Sequence, residues 1–275
     1  MKPEIVIIGS SGFIGKHLSF YLNKNLNKFK VIYFLKNSSK YLDVTDVSKL
    51  KKYIGRNTKF IINVSGQNSK NTFKINKFGN ENLINLLHSN NLNPIYIFAS
   101  STLVYKYNNK QILSETTQTR DIDNNQYING KLSAEKVIKN SNLNYYILRF
   151  SNVYDLNFKS KNFLRKLAFK NKIEINNPNI FRSYININDI NRIILKLINK
   201  KFNKSEIFNI SNENLSIKDL ISIFEKYKKK KTKIFNYSKN LRKMNSQKIS
   251  NKKIRKFTNI KNLQKIDTVI KKFYL

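Results

Sequence analysis

Tyr127-Ile128-Asn129-Gly130-Lys131 sets a phenol and an amine four residues apart. On a helix that spacing puts both on one face, with Cβ atoms about 5–6 Å apart. A phenol titrates near about 10, and an ammonium beside it favours the phenolate. The pair can then exchange a proton with a hydroxyl or ketone near neutral pH, Tyr127 moving the proton and Lys131 lowering its pKa. The spacing alone is a weak signal in a chain with 15 Tyr and many Lys, and Tyr227 and Lys231 repeat it inside a Lys run. A hydroxyl from a second element strengthens it. Ser101 follows the apolar run Ile95 to Ala99, and the C-terminal ends of parallel strands are where such sheets bind ligands.

A second constellation is Gly9-Ser10-Ser11-Gly12-Phe13-Ile14-Gly15, with the spacing G-x-x-G-x-x-G. The first Gly permits a tight turn, the second lets backbone approach a pyrophosphate, and the third lets helix and strand pack closely. A helix that opens at such a turn supplies free N–H groups and a positive dipole end to phosphates. Three of the seven Gly in the chain sit here. The context of strand, turn and helix makes the signal specific.

The elements that must position these groups are legible as alternating apolar runs. Glu4–Ile8, Lys30–Leu35, Phe60–Val64, Ile95–Ala99 and Tyr145–Phe150 read as strands, each apolar almost throughout. Helical spacing is expected over Phe13–Asn27, about 47–54, Phe73–Leu87 and Gln126–Lys139. This alternation predicts an α/β fold with a parallel sheet covered on both faces. In the last third, Ile207–Ile210 reads as a strand. Ser216 is expected to cap a helix over Ile217–Tyr227, with Asp219 beside its dipole. The tail, with apolar residues at helical spacing from Ile249, reads as part of a small polar α/β cap.

Composition excludes several classes. There is no Cys, so disulfide scaffolds, thiolate nucleophiles, Cys-zinc sites and iron–sulfur clusters are ruled out. With only His17 and His88, a His-based metal site or a Ser-His-Asp triad is not expected, and no metal is assigned. His17 reads as a helix-surface residue and His88 as a helix-end cation. No apolar run approaches the roughly 18 residues of a membrane span, and Met1 to Glu4 lead straight into a strand without a visible signal peptide. A soluble cytoplasmic protein is therefore expected. The net charge of +37 suggests an anionic partner. Only eight of the 53 basic residues are Arg, however, and Lys, Asn and Ile share A/T-rich codons. Genome composition explains the charge better than a noncatalytic, nucleic-acid-binding role does. No specific nucleic acid is expected, and at most a weak electrostatic attraction to membranes.

The turn G-x-x-G-F-I-G at the N-terminus resembles that of the extended short-chain dehydrogenase/reductases, the NAD-dependent epimerase/dehydratase family. Further segments are similar. Asp43-Val44 resembles the family's adenine-contacting pair, and Val64-Ser65-Gly66 its cofactor-lining segment. Asn76 and Gly79 fit its N-x-x-G. The run Ser100-Ser101-Thr102-Leu103-Val104-Tyr105 resembles its S-S-x-x-V-Y, and Arg149 to Tyr154 its R-x-x-N-V-Y. Phe181 to Asp189 resembles R-D-F-x-H-V-x-D, and Asn209 and Ser216-Ile217 match the later pattern. The likeness spans about residues 5–220.

The resemblance implies a Rossmann-type doubly wound sheet over residues 1–155, completed by 180–200. Residues 156–179 and 201–275 would form the substrate-binding cap. It implies NAD or NADP held by Gly9, Ser11, Gly12, Phe13, Ile14, Gly15, Lys36, Asp43, Val44, Val64, Ser65, Gly66, Tyr127 and Lys131. Ser101, Tyr127 and Lys131 would be catalytic, with Lys131 also bonding the nicotinamide ribose. Thr102, a neighbour able to replace Ser101, would face a nucleotide-sugar substrate with Asn152 and Arg182. Arg182 would grip the diphosphate; Arg149 would be structural. Where NAD-binding members carry an Asp after the second strand, Leu35-Lys36 stand, which favours NADP.

Thr102-Leu103 replace the Asp-Glu pair of the family's dehydratases, which argues against a 4,6-dehydratase. Two reactions remain: a 4-keto-sugar reductase using NADPH, toward which Leu35-Lys36 lean, and a 4-epimerase that retains NAD. A role in polysaccharide precursor synthesis follows by analogy. The Tyr127 helix and the one before it often form a homodimer interface in that family.

Overall fold

The computed structural model describes residues 1–35, 42–66, 71–107, 111–122, 124–155, 157, 163–170, 172–175, 177–228, 233–236 and 245–275. In chain order, β1 (Glu4–Ile8) leads into α1 (Phe13–Asn25), then β2 (Lys30–Ile32), α2 (Val47–Tyr53), β3 (Thr58–Asn63), α3 (Thr72–Ser89) and β4 (Ile95–Ser101). A 3₁₀ turn, Thr102–Val104, and the short β5 (Ile112–Leu113) precede α4 (Gln126–Lys139) and β6 (Tyr145–Phe150). Then come β7 (Asn152–Tyr154), α5 (Phe163–Phe169), β8 (Lys172–Ile175), β9 (Phe181–Asn186), α6 (Ile187–Asn199) and β10 (Glu206–Ile210). The chain closes with β11 (Glu213–Ser216), α7 (Ile217–Tyr227), β12 (Lys233–Asn236), β13 (Lys248–Ile249), α8 (Lys252–Thr258) and α9 (Ile266–Tyr274).

A six-stranded sheet runs β10-β6-β4-β3-β1-β2, with β1 parallel to both β2 and β3, and β3 parallel to β4. The chain leaves β1 to build β2 on one side and then β3 on the other. The C-terminal end of β1 is therefore a switch point, where open α/β sheets bind ligands. Val6, Ile8, Ile61, Tyr96, Phe98 and Ile147 are buried on the sheet, with Leu83, Leu87, Ala134 and Ile138 from α3 and α4 packed against them. Strands buried on both faces explain why their sequences are apolar runs rather than alternations.

The contacts divide the chain into two compact units: Met1–Val104, Thr119–Arg149 and Asn191–Phe208, and then Tyr105–Gln118, Phe150–Ile190 and Asn209–Leu275. Residues 105–118 fall in the second unit because Tyr105 and Leu113 share an apolar cluster with Ile249. In the second unit β9 lies between β11, antiparallel to it, and β7, parallel to it. Its core gathers Tyr154, Leu164, Leu167, Tyr184, Leu220, Phe224, Ile266 and Ile270.

Several element boundaries differ from the sequence reading. The second strand ends at Ile32 rather than Leu35, because the Ser10 hydroxyl takes over the backbone of Phe34. Ser10 Oγ donates to the Phe34 carbonyl at 2.8 Å and accepts its N–H at 3.2 Å. The strand expected to end at Ala99 runs on to Ser101. The tail is not helical from Ile249. Lys248–Ile249 pair with β5, and α8 begins at Lys252. Ser216 caps α7 as expected, and Asp219 does more than face the dipole: its carboxylate accepts the Ser216 N–H at 2.9 Å, completing a capping box. Among the described residues no helix is long and apolar enough to cross a membrane.

Candidate active site

The glycine turn lies at the end of β1. Gly9 has φ +81°, open to Gly at no steric cost, and a Cβ there would fall 2.7 Å from the Ser65 backbone nitrogen. A Cβ on Gly15 would overlap the Gly9 carbonyl oxygen and come within 2.7 Å of Ser10 Cα. The turn, α1 and the segment after β3 are thus packed backbone to backbone. Gly12 is the N-cap of α1. No side chain caps that end, and no acidic residue stands in the first turn. Phe13, Ile14 and Ser11 are half-buried around it. An uncapped helix end free of carboxylates, opening from a turn packed backbone to backbone, fits a pyrophosphate. Phe13 also meets His17 edge to face, with centroids 5.3 Å apart.

Val64-Ser65-Gly66 leave β3 beside this turn. Asn63, fully buried, accepts from Ser65 N at 3.0 Å and Ser65 Oγ at 2.5 Å, while its amide nitrogen donates to Tyr96 Oη at 2.8 Å. Asn63 and Tyr96 read as ordinary strand residues in the sequence; only the structure shows that they fix the segment. Gly66 has φ +94°, and a Cβ there would strike the Asn76 side chain at 2.5 Å. Val44 is buried and packs on Gly79, where a Cβ would lie 2.5 Å from Val44 Cγ1. Asp43 is exposed, its carboxylate held by Thr45 N at 2.9 Å and Thr45 Oγ1 at 2.8 Å. Lys36 lies outside the described residues, as does Lys231. Tyr227, the other member of the repeated spacing, donates instead to Asp267 at 3.0 Å.

The structure brings Ser101, Tyr127 and Lys131 together. Asn125 caps α4, accepting the N–H groups of Tyr127 and Ile128 at 3.1 Å each, so Tyr127 stands in the first turn. Gly130, between Tyr127 and Lys131, lets α3 approach. A Cβ there would meet Phe73 Cα at 3.1 Å and the Thr72 carbonyl at 3.2 Å. Ser101, the last residue of β4, shares a side-chain hydrogen bond with Tyr127, and its Oγ accepts the Leu103 N–H at 3.2 Å. Thr102 is buried beside it. Lys131 is 2% exposed, donates to the Ala99 carbonyl at 2.7 Å and the Ser65 carbonyl at 3.3 Å, and lies 4.7 Å from the Phe98 ring centroid and 5.9 Å from that of Tyr127.

Burial raises the Tyr127 phenol above its ordinary value, and the Ser101 hydrogen bond is the opposing influence. Burial also pulls the Lys131 ammonium down to about 7, against the pull of Glu135.

In the second unit Asn152 is exposed and its amide donates to the Ser183 carbonyl at 3.0 Å. Arg182 is half-buried, and Nη1 donates to the carbonyls of Phe181 and Asn245 at 2.8 Å each, which fixes the guanidinium. Among the described residues no group of three or more His, Asp or Glu is placed to hold a metal.

Comparison with known proteins agrees with this architecture. The model of the NAD dependent epimerase/dehydratase family matches residues 5–211. An uncharacterized protein of Methanocaldococcus jannaschii is 29% identical over 273 residues, spanning 84% of this chain and 82% of that protein. GDP-6-deoxy-D-talose 4-dehydrogenase of Aggregatibacter actinomycetemcomitans is 27% identical over 229 residues, spanning 78% of this chain and 74% of that enzyme. Among solved structures, RMD from Pseudomonas aeruginosa complexed with NADPH superposes with a TM-score of 0.82 at 18% identity, covering 99% of this chain and 98% of that one. UDP-glucose 4-epimerase from Bifidobacterium longum, in complex with NAD+ and UDP, gives a TM-score of 0.81 at 16% identity, covering 98% and 97%.

Proposed function

Because the chain belongs to the NAD dependent epimerase/dehydratase family, we propose that it is an NAD(P)-dependent oxidoreductase that reduces the 4-keto group of a nucleotide-activated sugar. The observation that carries this reading is buried Lys131 one helical turn from Tyr127, its Nζ 5.9 Å from the phenol ring centroid, with Ser101 beside that phenol. A relative that dehydrogenates C4 of a GDP-6-deoxy sugar supports the substrate class. Neighbours are seen with NADPH or with NAD+, and the lack of an acid at Leu35-Lys36 supports NADP.

When bound, the cofactor supplies a hydride to the sugar carbon from C4 of its nicotinamide. The residues do the rest. Gly9, Ser11, Gly12, Phe13, Ile14 and Gly15 hold the pyrophosphate at the start of α1. Asp43 and Val44 border the adenine, and Val64, Ser65 and Gly66 line the cofactor. Lys131 holds the ribose hydroxyls. Tyr127 Oη gives its proton to the oxygen that becomes the C4 hydroxyl, and Ser101 Oγ hydrogen-bonds that oxygen as charge develops. A raised phenol pKa suits this direction, since the reaction begins with the proton on Tyr127. Thr102 borders the sugar. Asn152 bonds the nucleotide sugar, and Arg182 grips its diphosphate through its planar fork.

The test is turnover of nucleotide 4-keto-6-deoxy sugars with NADPH, followed by loss of reduced-nicotinamide absorbance. Stoichiometric oxidation of NADPH with formation of a 4-hydroxy sugar is expected. Conversion of a nucleotide sugar to its C4 epimer with no net NADPH use would overturn the reductase and point to the epimerase.

A further inference from the structure

The mechanism above leaves a buried ion pair unused. Glu135 on α4 and Arg149 on β6 have side chains 2% and 3% exposed. The pair is bidentate: Arg149 Nη2 donates to Glu135 Oε2 at 2.6 Å and Nε to Oε1 at 3.0 Å. Ser100 Oγ adds a third bond to Oε1 at 2.5 Å. Buried pairs of this kind are often no more stabilising than apolar side chains of similar volume, because both ions lose water. A reason for this one lies one turn away. Lys131 is i−4 to Glu135, and Ser100 adjoins Ala99, whose carbonyl accepts from Lys131, as well as Ser101.

Resting on the reading above, we propose that Glu135, clamped by Arg149 and Ser100, is a positioning residue for Lys131, one helical turn away on α4, and acts on it through its carboxylate. The surroundings of Lys131 leave this task to Glu135. Its own helix offers Tyr127, a phenol that stays protonated, and Glu135. From β4 come the Ala99 carbonyl and the Phe98 ring, and after β3 the Ser65 carbonyl. The 3₁₀ turn Thr102–Val104 carries no charge. On α3, Thr72 and Asn76 approach at Gly130, while the titratable Lys74, Lys77, Glu81 and His88 are half-exposed or exposed. Arg149 fixes the Glu135 carboxylate, and Ser100 ties it to the strand that ends in Ser101. Burial pulling Lys131 down, opposed by Glu135, is the electrostatic counterpart of this geometry.

The experiment measures the Lys131 proton midpoint without a cofactor. The unfolding free energy of wild type is compared with that of Lys131→Met from about pH 5.5 to about pH 10, and Glu135→Gln with Glu135→Gln/Lys131→Met over the same range. Loss of the carboxylate charge is expected to move the midpoint to lower pH by about 1 unit. Coincident midpoints would overturn the proposal. Should Glu135→Gln fail to fold, Glu135→Gln/Arg149→Met removes both ions and restores packing. Because Arg149 itself disfavours a second positive charge nearby, this variant is compared with Arg149→Met, each against its own Lys131→Met background: a lower midpoint without the carboxylate supports the charge role, and coincident midpoints overturn it in favour of simple helix anchoring. In parallel, NADPH is titrated by fluorescence across the same range. Binding that weakens at a lower pH in Glu135→Gln than in wild type supports the inference. Failure of both proteins to bind NADPH at any pH would sink the cofactor reading, while the stability midpoints still decide the role of Glu135.

Discussion

Gly15→Ala tests the glycine turn with a single carbon. The added Cβ would overlap the Gly9 carbonyl oxygen and lie 2.7 Å from Ser10 Cα and 2.8 Å from the Gly9 carbonyl carbon. All three neighbours are backbone, so no side chain can swing away. Either α1 lifts off β1 or the turn opens. Overpacking of this kind costs about 1–3 kcal/mol, which in a protein of this size lowers Tm by roughly 2–12 °C. The same movement displaces the N–H groups of the first turn, and affinity for NADPH is expected to fall by at least about tenfold, or about 1.4 kcal/mol. Gly55→Ala is the control. No atom lies within 4 Å of its added Cβ, so stability holds or rises by about 0.4–1 kcal/mol and affinity is unchanged. Scanning calorimetry and fluorescence titration of the two variants read both quantities. A Gly15→Ala protein with wild-type Tm and wild-type NADPH affinity would refute the close-approach argument.

Tyr127→Phe is expected to keep NADPH affinity while turnover falls by about 10²–10⁴-fold, the worth of a positioned acid; steady-state kinetics beside the titration separates the two. Lys131 titrates at about 7 when folded against 10.5 for an unperturbed lysine, so between those values the unfolded chain holds the proton and the folded chain does not. Stability relative to Lys131→Met therefore rises as pH increases from about 7 towards about 10.5, and denaturant unfolding over that window checks the sign. Arg149→Met alone strands the Glu135 carboxylate and is expected to cost about 3–5 kcal/mol, most of it recovered in Glu135→Met/Arg149→Met when both are unfolded in urea. Ser216→Ala removes the capping box of α7 and should cost about 1 kcal/mol without changing NADPH affinity.

The sheet was legible because its strands are continuous apolar runs separated by helix-period patterns. Gly9, Gly12 and Gly15 were legible because their spacing marks a tight turn opening a helix, although the Ser65 backbone that also confines Gly9 leaves no local trace. The second strand was overextended because apolar Tyr33, Phe34 and Leu35 continue its pattern, whereas a nonlocal bond from Ser10 takes the Phe34 backbone out of the ladder. Asn63 and Tyr96 escaped notice for the same reason: their bonds join residues 33 apart in sequence, and no spacing rule signals that. Spacing also placed Lys131 one turn from Tyr127, but periodicity gives distance between side chains and not the burial that raises the Tyr127 phenol and pulls the Lys131 ammonium down. Glu135 is visible one turn beyond Lys131 in the sequence, but its partner Arg149 comes from another strand. Within the tail, read as part of an α/β cap, the two-residue β13 could not be seen in the sequence, because it pairs with β5, far earlier in the chain, and leaves no periodic trace of its own.

The account stands most directly on cofactor binding. The protein, purified without added nucleotide, is titrated with NADPH and with NADH while reduced-nicotinamide fluorescence is followed. Saturable binding at one site, tighter for NADPH, is the predicted result. A protein that is competent to fold yet binds neither would contradict the account and return the +37 charge to the centre of the question.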